Sequence, residues 1–299
     1  MGVIDVADEV RDALADGRGV VALESTIFSP FGLPAPANLD ALEQCLAAVR
    51  ESGSVPAITA VLDGRARVGL DAAEHERILN GGQKVAERDL PVALGTAVAV
   101  GVTTVSASLA LAHAAGIGVF ATGGIGGVHR GTERTGDVSA DLIALASHPV
   151  VTVCAGAKAF LDVGRTLEYL ETHSVPVLGW RTDEFPMFWA RSSGLAVPHR
   201  VEDATAVAAV VRAQRELAST RSVLVAVPIP EESAIAREVV ENAIAEATAV
   251  GVTGPSVTPH VLAAIAAATK NRTVDANIVL AAHNASVAGT IAAQMRFGR

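Results

Sequence analysis

The residues best suited to chemistry sit in one stretch, Val119 to Lys158, reading VFATGGIGGVHRGTERTGDVSADLIALASHPVVTVCAGAK. The pattern predicts a short strand, a glycine-dense loop, an acidic helix start, a helix, and a second apolar strand that carries Lys158 to its carboxyl end. That layout suits phosphate handling beside an amine nucleophile. Lys158 follows the small residues Ala155-Gly156-Ala157, an environment in which an amine is freed to attack a carbonyl. The same strand-to-helix junction also lets a lysine snorkel to solvent. GGIGG, Gly123 to Gly127, has the spacing of neither a dinucleotide fingerprint nor a Walker loop. Its glycines imply only close backbone approach or turns with positive φ.

Four further positions could join such a site. Glu24 is the single carboxylate of the apolar run VVALEST, Val20 to Thr26. It is either a solvent-facing strand end or a carboxylate at the carboxyl edge of a sheet, where α/β proteins place their chemistry. Lys84 follows the pair Gly81-Gly82, and an ordinary surface lysine is the competing reading. Asn284, in the run HNAS on an alanine-rich helix face, is either a helix-packing hydrogen bonder or a ligand contact. Ser139 and Asp141 are explained by helix capping, a serine at the N-cap and an acid in the first turn. Asp137 lies outside that cap and could hold a divalent ion through one inner-sphere bond and several waters.

These positions need a frame, and the hydrophobic pattern supplies one. A short amphipathic helix at 6–15 precedes the strand ending at Glu24. The loop Phe28 to Ala37 carries three prolines, Pro30, Pro34 and Pro36, and a glycine, and so reads as a stiff cover. Asn38 is expected to cap the helix that follows. Two strands flank the turn Asp63-Gly64. A helix around 72–79 leads to Lys84 in a loop, and another is expected to begin at Val102-Thr103-Thr104 and run through Ala115. Beyond Lys158 come a helix, a strand at 175–180, a helix at 201–217, a strand at 223–227, a helix through Val250 and a helix at 274–295. The segment RTDEFPMFWARSSGLAVP, from Arg181, holds both tryptophans and is expected to form a lid or a subunit contact. The adjacent Asp183 and Glu184 face opposite ways on a strand and make a poor carboxylate pair. No repeat or composition break divides the chain. We therefore expect one α/β domain over 1–299, a three-layer α/β/α sandwich around a largely parallel central sheet.

Bulk properties narrow the function classes. The 299 residues are 50% hydrophobic but only 3% aromatic, so the core must be aliphatic. A net charge of −9 argues against a nucleic-acid surface, though not against a small anionic ligand held by backbone N–H groups and a lysine or two. Cys45 and Cys154 are too few for a disulfide framework and fit core thiols in a reducing cytoplasm. The acidic N-terminus lacks the apolar core of a signal peptide. From Leu90 to His129 no Asp, Glu, Lys or Arg occurs. Its Gly, Ala, Ser and Thr content and the breaks at Gly101 and Gly116 to Gly118 fit buried strand, helix and strand better than a membrane span.

The blocks VALEST (21–26), GLPAPAN (32–38), RVGL (67–70), KVAERDLP (84–91), TTV (103–105), VFATGGIGGVHRG (119–131), SADL (139–142), VCAGAK (153–158), TLEYLETHSVPVLGW (166–180), PIPEE (228–232) and NAS (284–286) resemble those of the pseudouridine-5′-phosphate glycosidases, also called the indigoidine synthase A family. The resemblance implies a cytoplasmic homotrimer that reversibly cleaves pseudouridine 5′-phosphate to uracil and ribose 5-phosphate. It implies Lys158 as nucleophile and Glu24 as proton donor. Lys84, Val105, Ser139, Ala140 and Asp141 match substrate-binding positions, with Thr122 and Asn284 lining the same site, and Asp137 matches a ligand of one Mn²⁺ ion. The chain departs from the family pattern at Ser29-Pro30-Phe31-Gly32, which carries an extra residue where a histidine and glycine are usual. Competing readings are a lysine-imine aldolase acting on a sugar phosphate, a hydrolase with paired carboxylates, and a non-catalytic phosphometabolite binder accessory to pigment biosynthesis.

Overall fold

The computed structural model describes residues 2–248, 265–267, 269 and 272–295. In chain order its elements begin with β1 (Ile4–Val6), α1 (Asp8–Ala15), β2 (Val20–Leu23), α2 (Ala37–Glu51), β3 (Val55–Leu62), β4 (Arg65–Val68), α3 (Ala72–Leu79) and β5 (Gln83–Val85). They continue with α4 (Leu90–Gly95), β6 (Val100–Thr103), α5 (Val105–Ala114), β7 (Val119–Ala121), α6 (Thr132–Thr135), α7 (Ala140–Ser147), β8 (Val151–Cys154) and α8 (Val163–Thr172). The remainder are β9 (Val177–Trp180), β10 (His199–Val201), α9 (Ala204–Glu216), β11 (Leu224–Ala226), α10 (Arg237–Thr248) and α11 (Arg272–Gln294).

The main sheet runs β3-β2-β7-β8-β11-β9-β10, and all its pairings are parallel. Helices α2, α9 and α11 pack together on one face and α5, α7 and α8 on the other, giving the three expected layers. Strands buried on both faces explain the continuous Val/Ala/Leu runs. Strand β3 is long enough to serve two partners sets. Its first half pairs with β2, Thr59 to Leu62 pair antiparallel with β4 and Ala60 to Leu62 antiparallel with β6, and these extend the sheet through β1 and β5. Asp63 (φ 50°) and Gly64 (φ 72°) make the tight turn between β3 and β4.

Strand order decides where a site can form. The chain passes from β2 to β3 on one side, then returns to lay β7 and β8 on the other side of β2. The reversal between β2 and β7 opens a crevice at their carboxyl ends, the position where open α/β sheets bind ligands.

Several local expectations change. Val102 and Thr103 belong to β6, and the helix starts only after Thr104, because Thr103 is claimed by sheet pairing and by Ser25. Lys84 is on β5, paired with Val102, rather than in a loop. Gly82 permits that approach, since a Cβ there would stand 2.3 Å from the Val100 carbonyl oxygen. Asn38 lies inside the first turn of α2, buried, and its Nδ2 donates to the carbonyls of Phe28 (3.3 Å) and Leu79 (3.1 Å), tying down the proline-rich loop. Residues 199–201 form β10, ahead of a helix capped by Asp203. The helix expected after PIPEES and through Val250 forms as α10 from Arg237 to Thr248, and residues 249 and 250 lie outside the described residues. The uncharged run from Leu90 resolves into α4, β6, α5 and β7 within the fold. Among the described residues α11 alone has the length and hydropathy to span a membrane, and it is largely buried against α2, α9 and the sheet. Both cysteines are buried, with thiol pKa values pushed up to about 12 by desolvation.

The aromatic segment is not a lid. Phe185, Met187, Phe188 and Trp189 are buried, the Phe188 amide donates to the Ala155 carbonyl (3.0 Å), and Trp189 Nε1 donates to Asn277 Oδ1 on α11 (2.7 Å). It wedges under the loops that follow β7 and β8, where a Cβ on Gly124 would meet the Phe188 ring at 2.6 Å. Gly156 has φ 86°, and a Cβ there would stand 2.3 Å from the Pro186 carbonyl oxygen. Gly156→Ala therefore combines a left-handed backbone with a backbone clash, and we expect a loss of about 2–5 kcal/mol, read as a lowered urea midpoint with an unchanged m-value.

Candidate active site

The site is assembled on the carboxyl ends of β2, β7 and β8. Glu24 is the first residue after β2 and Thr122 the first after β7, so adjacency of these strands sets the two side chains facing across the crevice. The Thr122 hydroxyl donates to Glu24 Oε1. The backbone of Thr122 is fixed on both sides. Its N–H donates to the Val153 carbonyl (3.0 Å), and its carbonyl accepts from Asn284 Nδ2 on α11 (2.8 Å), which also reaches the Gly123 carbonyl (3.2 Å). Asn284 is thus a hydrogen bonder at the site itself. Its Oδ1 is buried with no partner among the described residues.

Glu24 is buried, at 6% exposure. Desolvation raises its carboxyl above the ordinary glutamate pKa, and nearby Asp141 adds to that. The Lys158 ammonium, the Thr122 hydroxyl and the Lys84 ammonium pull the other way without overcoming it. A carboxyl shifted in this direction holds its proton to higher pH than an ordinary glutamate, which suits a general acid.

Lys158 is delivered by two loops that continue the sheet beyond the ends of β7 and β8. Ile125 pairs with Ala157 as a parallel bridge, with Ile125 N–H donating to Gly156 O (3.1 Å) and Lys158 N–H to Ile125 O (3.0 Å). The glycines of GGIGG allow this loop to lie flat between its neighbours. A Cβ on Gly126 would stand 2.1 Å from Ser139 Oγ and 2.8 Å from Asp141 Oδ2. Lys158 is half-buried, and Lys84 is exposed at the rim on β5. Protein crowds Lys84 enough that desolvation, and then the Lys158 ammonium, hold its pKa below the ordinary lysine value. Asp141 and Glu24 offset part of that effect. Glu24, Lys84, Lys158 and Asp141 therefore form one electrostatic group.

Asp141 does more than face a helix dipole. It is buried, and its Oδ1 accepts from Ser106 N–H (3.0 Å) while Oδ2 accepts from Gly126 N–H (2.8 Å). It joins the start of α5, next to Val105, to the glycine loop. Ser139 caps α7 as expected, accepting from Asp141 N–H (3.2 Å), with Ala140 exposed at the first helical position. Behind Glu24 a buried hydroxyl cluster ties β2 to β6, β3 and α5. Thr103 N–H donates to Ser25 Oγ (2.8 Å), Thr59 Oγ1 lies 2.9 Å from Thr103 Oγ1, and Thr59 donates to Ser108 Oγ (2.9 Å). Neither this cluster nor Ser106 stood out in the sequence. Only the run of Ser and Thr in an uncharged segment hinted at buried hydroxyls.

Asp137 sits at the outer edge. Its carboxylate is about half exposed (47%), its nearest side-chain partner is His129 Nδ1 at 3.6 Å, and its carbonyl accepts from His129 N–H and the Thr132 hydroxyl. No cluster of three or more metal-ligating side chains exists among the described residues. An accessible carboxylate without a strong hydrogen bond fits an ion that keeps most of its waters. Asp183 and Glu184 are no pair. The first is engaged by Arg200 and the second by Ser192.

The family model for indigoidine synthase A-like proteins matches residues 9–294. The chain belongs to the indigoidine synthase A family. Among curated relatives of this family member, a pseudouridine-5′-phosphate glycosidase of Methylobacterium nodulans is 48% identical, covering 99% of this chain and 89% of that protein. Another, from Caldanaerobacter subterraneus subsp. tengcongensis, is 47% identical over 98% of this chain and 96% of its own. Two solved structures superpose with a TM-score of 0.90, each covering 98% of this chain and 96% of the other. One is an indigoidine synthase A-like protein of Thermotoga maritima, 35% identical, and one is the prealnumycin C-glycosynthase AlnA in complex with ribulose 5-phosphate, 37% identical. The fold expected from the sequence is the fold of this family.

Proposed function

We propose that this protein is an enzyme that reversibly cleaves the C–C glycosidic bond of pseudouridine 5′-phosphate to uracil and ribose 5-phosphate. The observation that carries the proposal is a buried Glu24 whose carboxyl pKa is raised above the ordinary value and which lies within electrostatic reach of Lys158. The names of the full-length relatives and the C-glycosynthase with its bound pentose phosphate support the same substrate class.

A C–C glycosidic bond offers no basic leaving oxygen or nitrogen, so protonation of the leaving atom cannot suffice. Glu24 instead protonates the ring oxygen as the C1′–O4′ bond breaks, and Lys158 Nζ bonds to C1′. The adduct nitrogen then gives one proton to the Glu24 carboxylate and regains its lone pair; that pair forms the C1′=N imine as the C1′–C5 bond breaks with its electron pair left on uracil C5, which takes the proton from Glu24. Water hydrolyses the imine and releases ribose 5-phosphate and free Lys158. Lys84, the N-terminus of α7 at Ser139, Ala140 and Asp141, and the start of α5 at Val105 surround the phosphate and sugar hydroxyls. Backbone N–H groups and the lysine charge supply the recognition there. Asn284 Oδ1, buried and unpaired, is an acceptor for an N–H of the base.

Mn²⁺ would be held by the Asp137 carboxylate and waters, and would organise charge beside the phosphate. Asp137→Asn should raise the Mn²⁺ concentration needed for half-maximal activity by about 10-fold or more, measured by titrating metal into chelator-treated protein; an unchanged requirement would remove Asp137 from the metal site. We further propose that the protein is a homotrimer located in the cytoplasm, and sedimentation equilibrium tests the assembly. The direct test of the activity is uracil release from pseudouridine 5′-phosphate with Mn²⁺ present. No release, or adduct formation with ribose 5-phosphate without any uracil-dependent product, would favour the binding-protein or aldolase readings.

A further inference from the structure

We infer that Thr122, fixed from behind by Asn284, is a positioning residue that assigns the catalytic proton to one oxygen of Glu24. The inference rests on the reading of Glu24 as the general acid. Thr122 and Asn284 are not simply lining. The hydroxyl of Thr122 donates to Glu24 Oε1, which makes Oε1 the acceptor oxygen and leaves Oε2 to carry the acid proton. The main chain that carries the Thr122 hydroxyl is held in place, its N–H by Val153 O and its carbonyl by Asn284 Nδ2. Asn284 is buried at 1% exposure and bridges two successive carbonyls, so the amide on α11 clamps the end of β7 as the hydroxyl on β7 clamps the end of β2. The clamp sits at the switch point and carries the β2–β7 contact one residue beyond its last paired positions, Leu23 and Ala121.

The charged neighbours of Glu24 are Lys158 after β8, Lys84 on β5 and Asp141 at the start of α7; α11 contributes the neutral Asn284. Removing the Thr122 donor leaves those charges in place and removes one interaction that favours the carboxylate. The alkaline limb of the pH profile for kcat must then move up.

The test compares wild type, Thr122→Val, Thr122→Ser and Glu24→Gln by uracil release between acid and alkaline pH. Thr122→Val should lower kcat about 10- to 100-fold with KM changed little, and should shift the alkaline limb to higher pH. Thr122→Ser, which keeps the donor, should restore both. If Glu24→Gln retains activity, the assignment of the acid fails regardless of Thr122. If Glu24→Gln is inactive while Thr122→Val loses only substrate affinity, or keeps the wild-type limb, Thr122 is a substrate contact or packing residue and the inference is overturned. A limb displaced downward would mean that Glu24 donates to Thr122, which also overturns it. Should Thr122→Val fail to fold, the isotope-edited carboxyl stretch of Glu24 in wild-type protein gives the answer. A hydrogen-bonded C=O band, absent in Glu24→Gln, supports the inference, and a free C=O band contradicts it.

Discussion

Lys158→Ala should lower kcat for uracil release by about 10⁴-fold or more while leaving the fold intact. The residual structure is expected because what Lys158 contributes to the fold is backbone. Its N–H and the Ile125–Ala157 bridge hold the two loops whatever the side chain, and the side chain itself is only half-buried. The loss of rate follows from the chemistry. Without the amine no imine can carry the positive charge that accumulates at C1′ as the C–C bond breaks, and water at the same place is a far weaker nucleophile. A second consequence separates this from a general loss of charge. Lys84 loses the ammonium that lowers its pKa, so its titration should move up in the variant, readable by NMR of a labelled Lys84. Arginine at 158 would keep the charge but not the nucleophile, and should be as inactive as alanine.

Glu24→Gln should cost about 10²–10⁴-fold in kcat and yet stabilise the protein, increasingly so as pH rises. Burial raises the Glu24 pKa, and the attraction of Lys158 and Lys84 does not offset it, so the charged form is disfavoured in the folded state. Below the ordinary glutamate value of 4.5 the residue is protonated folded or unfolded, and wild type and variant should melt alike. Above that value the unfolded chain ionises while the folded protein holds its proton. Stability therefore falls as pH rises, until the folded pKa is passed and the full penalty applies. Each unit separating the two pKa values is worth about 1.4 kcal/mol. Glutamine cannot ionise, so the difference in Tm between variant and wild type should grow from acid to alkaline pH and then level off. A difference that shrank with pH would mean that Glu24 is ionised in the folded protein and acts as an anion, not as an acid.

The placement of Lys158 and Glu24 at the carboxyl edge of the sheet was legible from the sequence because its signal is local. Each is a charge that ends an apolar β run, and parallel sheets bring such ends to one edge. Thr122 as a partner of Glu24 was not legible as such, since the bond joins residues 98 positions apart and depends on β7 lying beside β2. Asp141 shows how a sufficient local explanation can hide a tertiary one. Its place in the first turn of α7 satisfied capping rules, while both carboxylate oxygens are spent on amides of α5 and the glycine loop. Thr103 and Thr104 ahead of an apolar run looked like a helix start, but pairing of β6 with β3 and β5 overrode that preference for Val102 and Thr103. The aromatic segment looked like a lid or a subunit contact because it gathers Phe185, Phe188 and Trp189 in a chain that otherwise avoids aromatics. Only the glycine surfaces of the 123–127 and 155–157 loops, which leave room for Phe185 and Phe188, explain why it turns inward.

The proposed reaction passes through a covalent imine on Lys158 in the course of C–C cleavage. Borohydride added during turnover of pseudouridine 5′-phosphate with Mn²⁺, followed by peptide mapping, tests it most directly. The expected result is a reduced pentose-phosphate adduct on the peptide carrying Lys158, formed in step with uracil release and absent from Lys158→Ala. Full uracil release with no adduct, or an adduct on Lys84 that persists in Lys158→Ala, would contradict it.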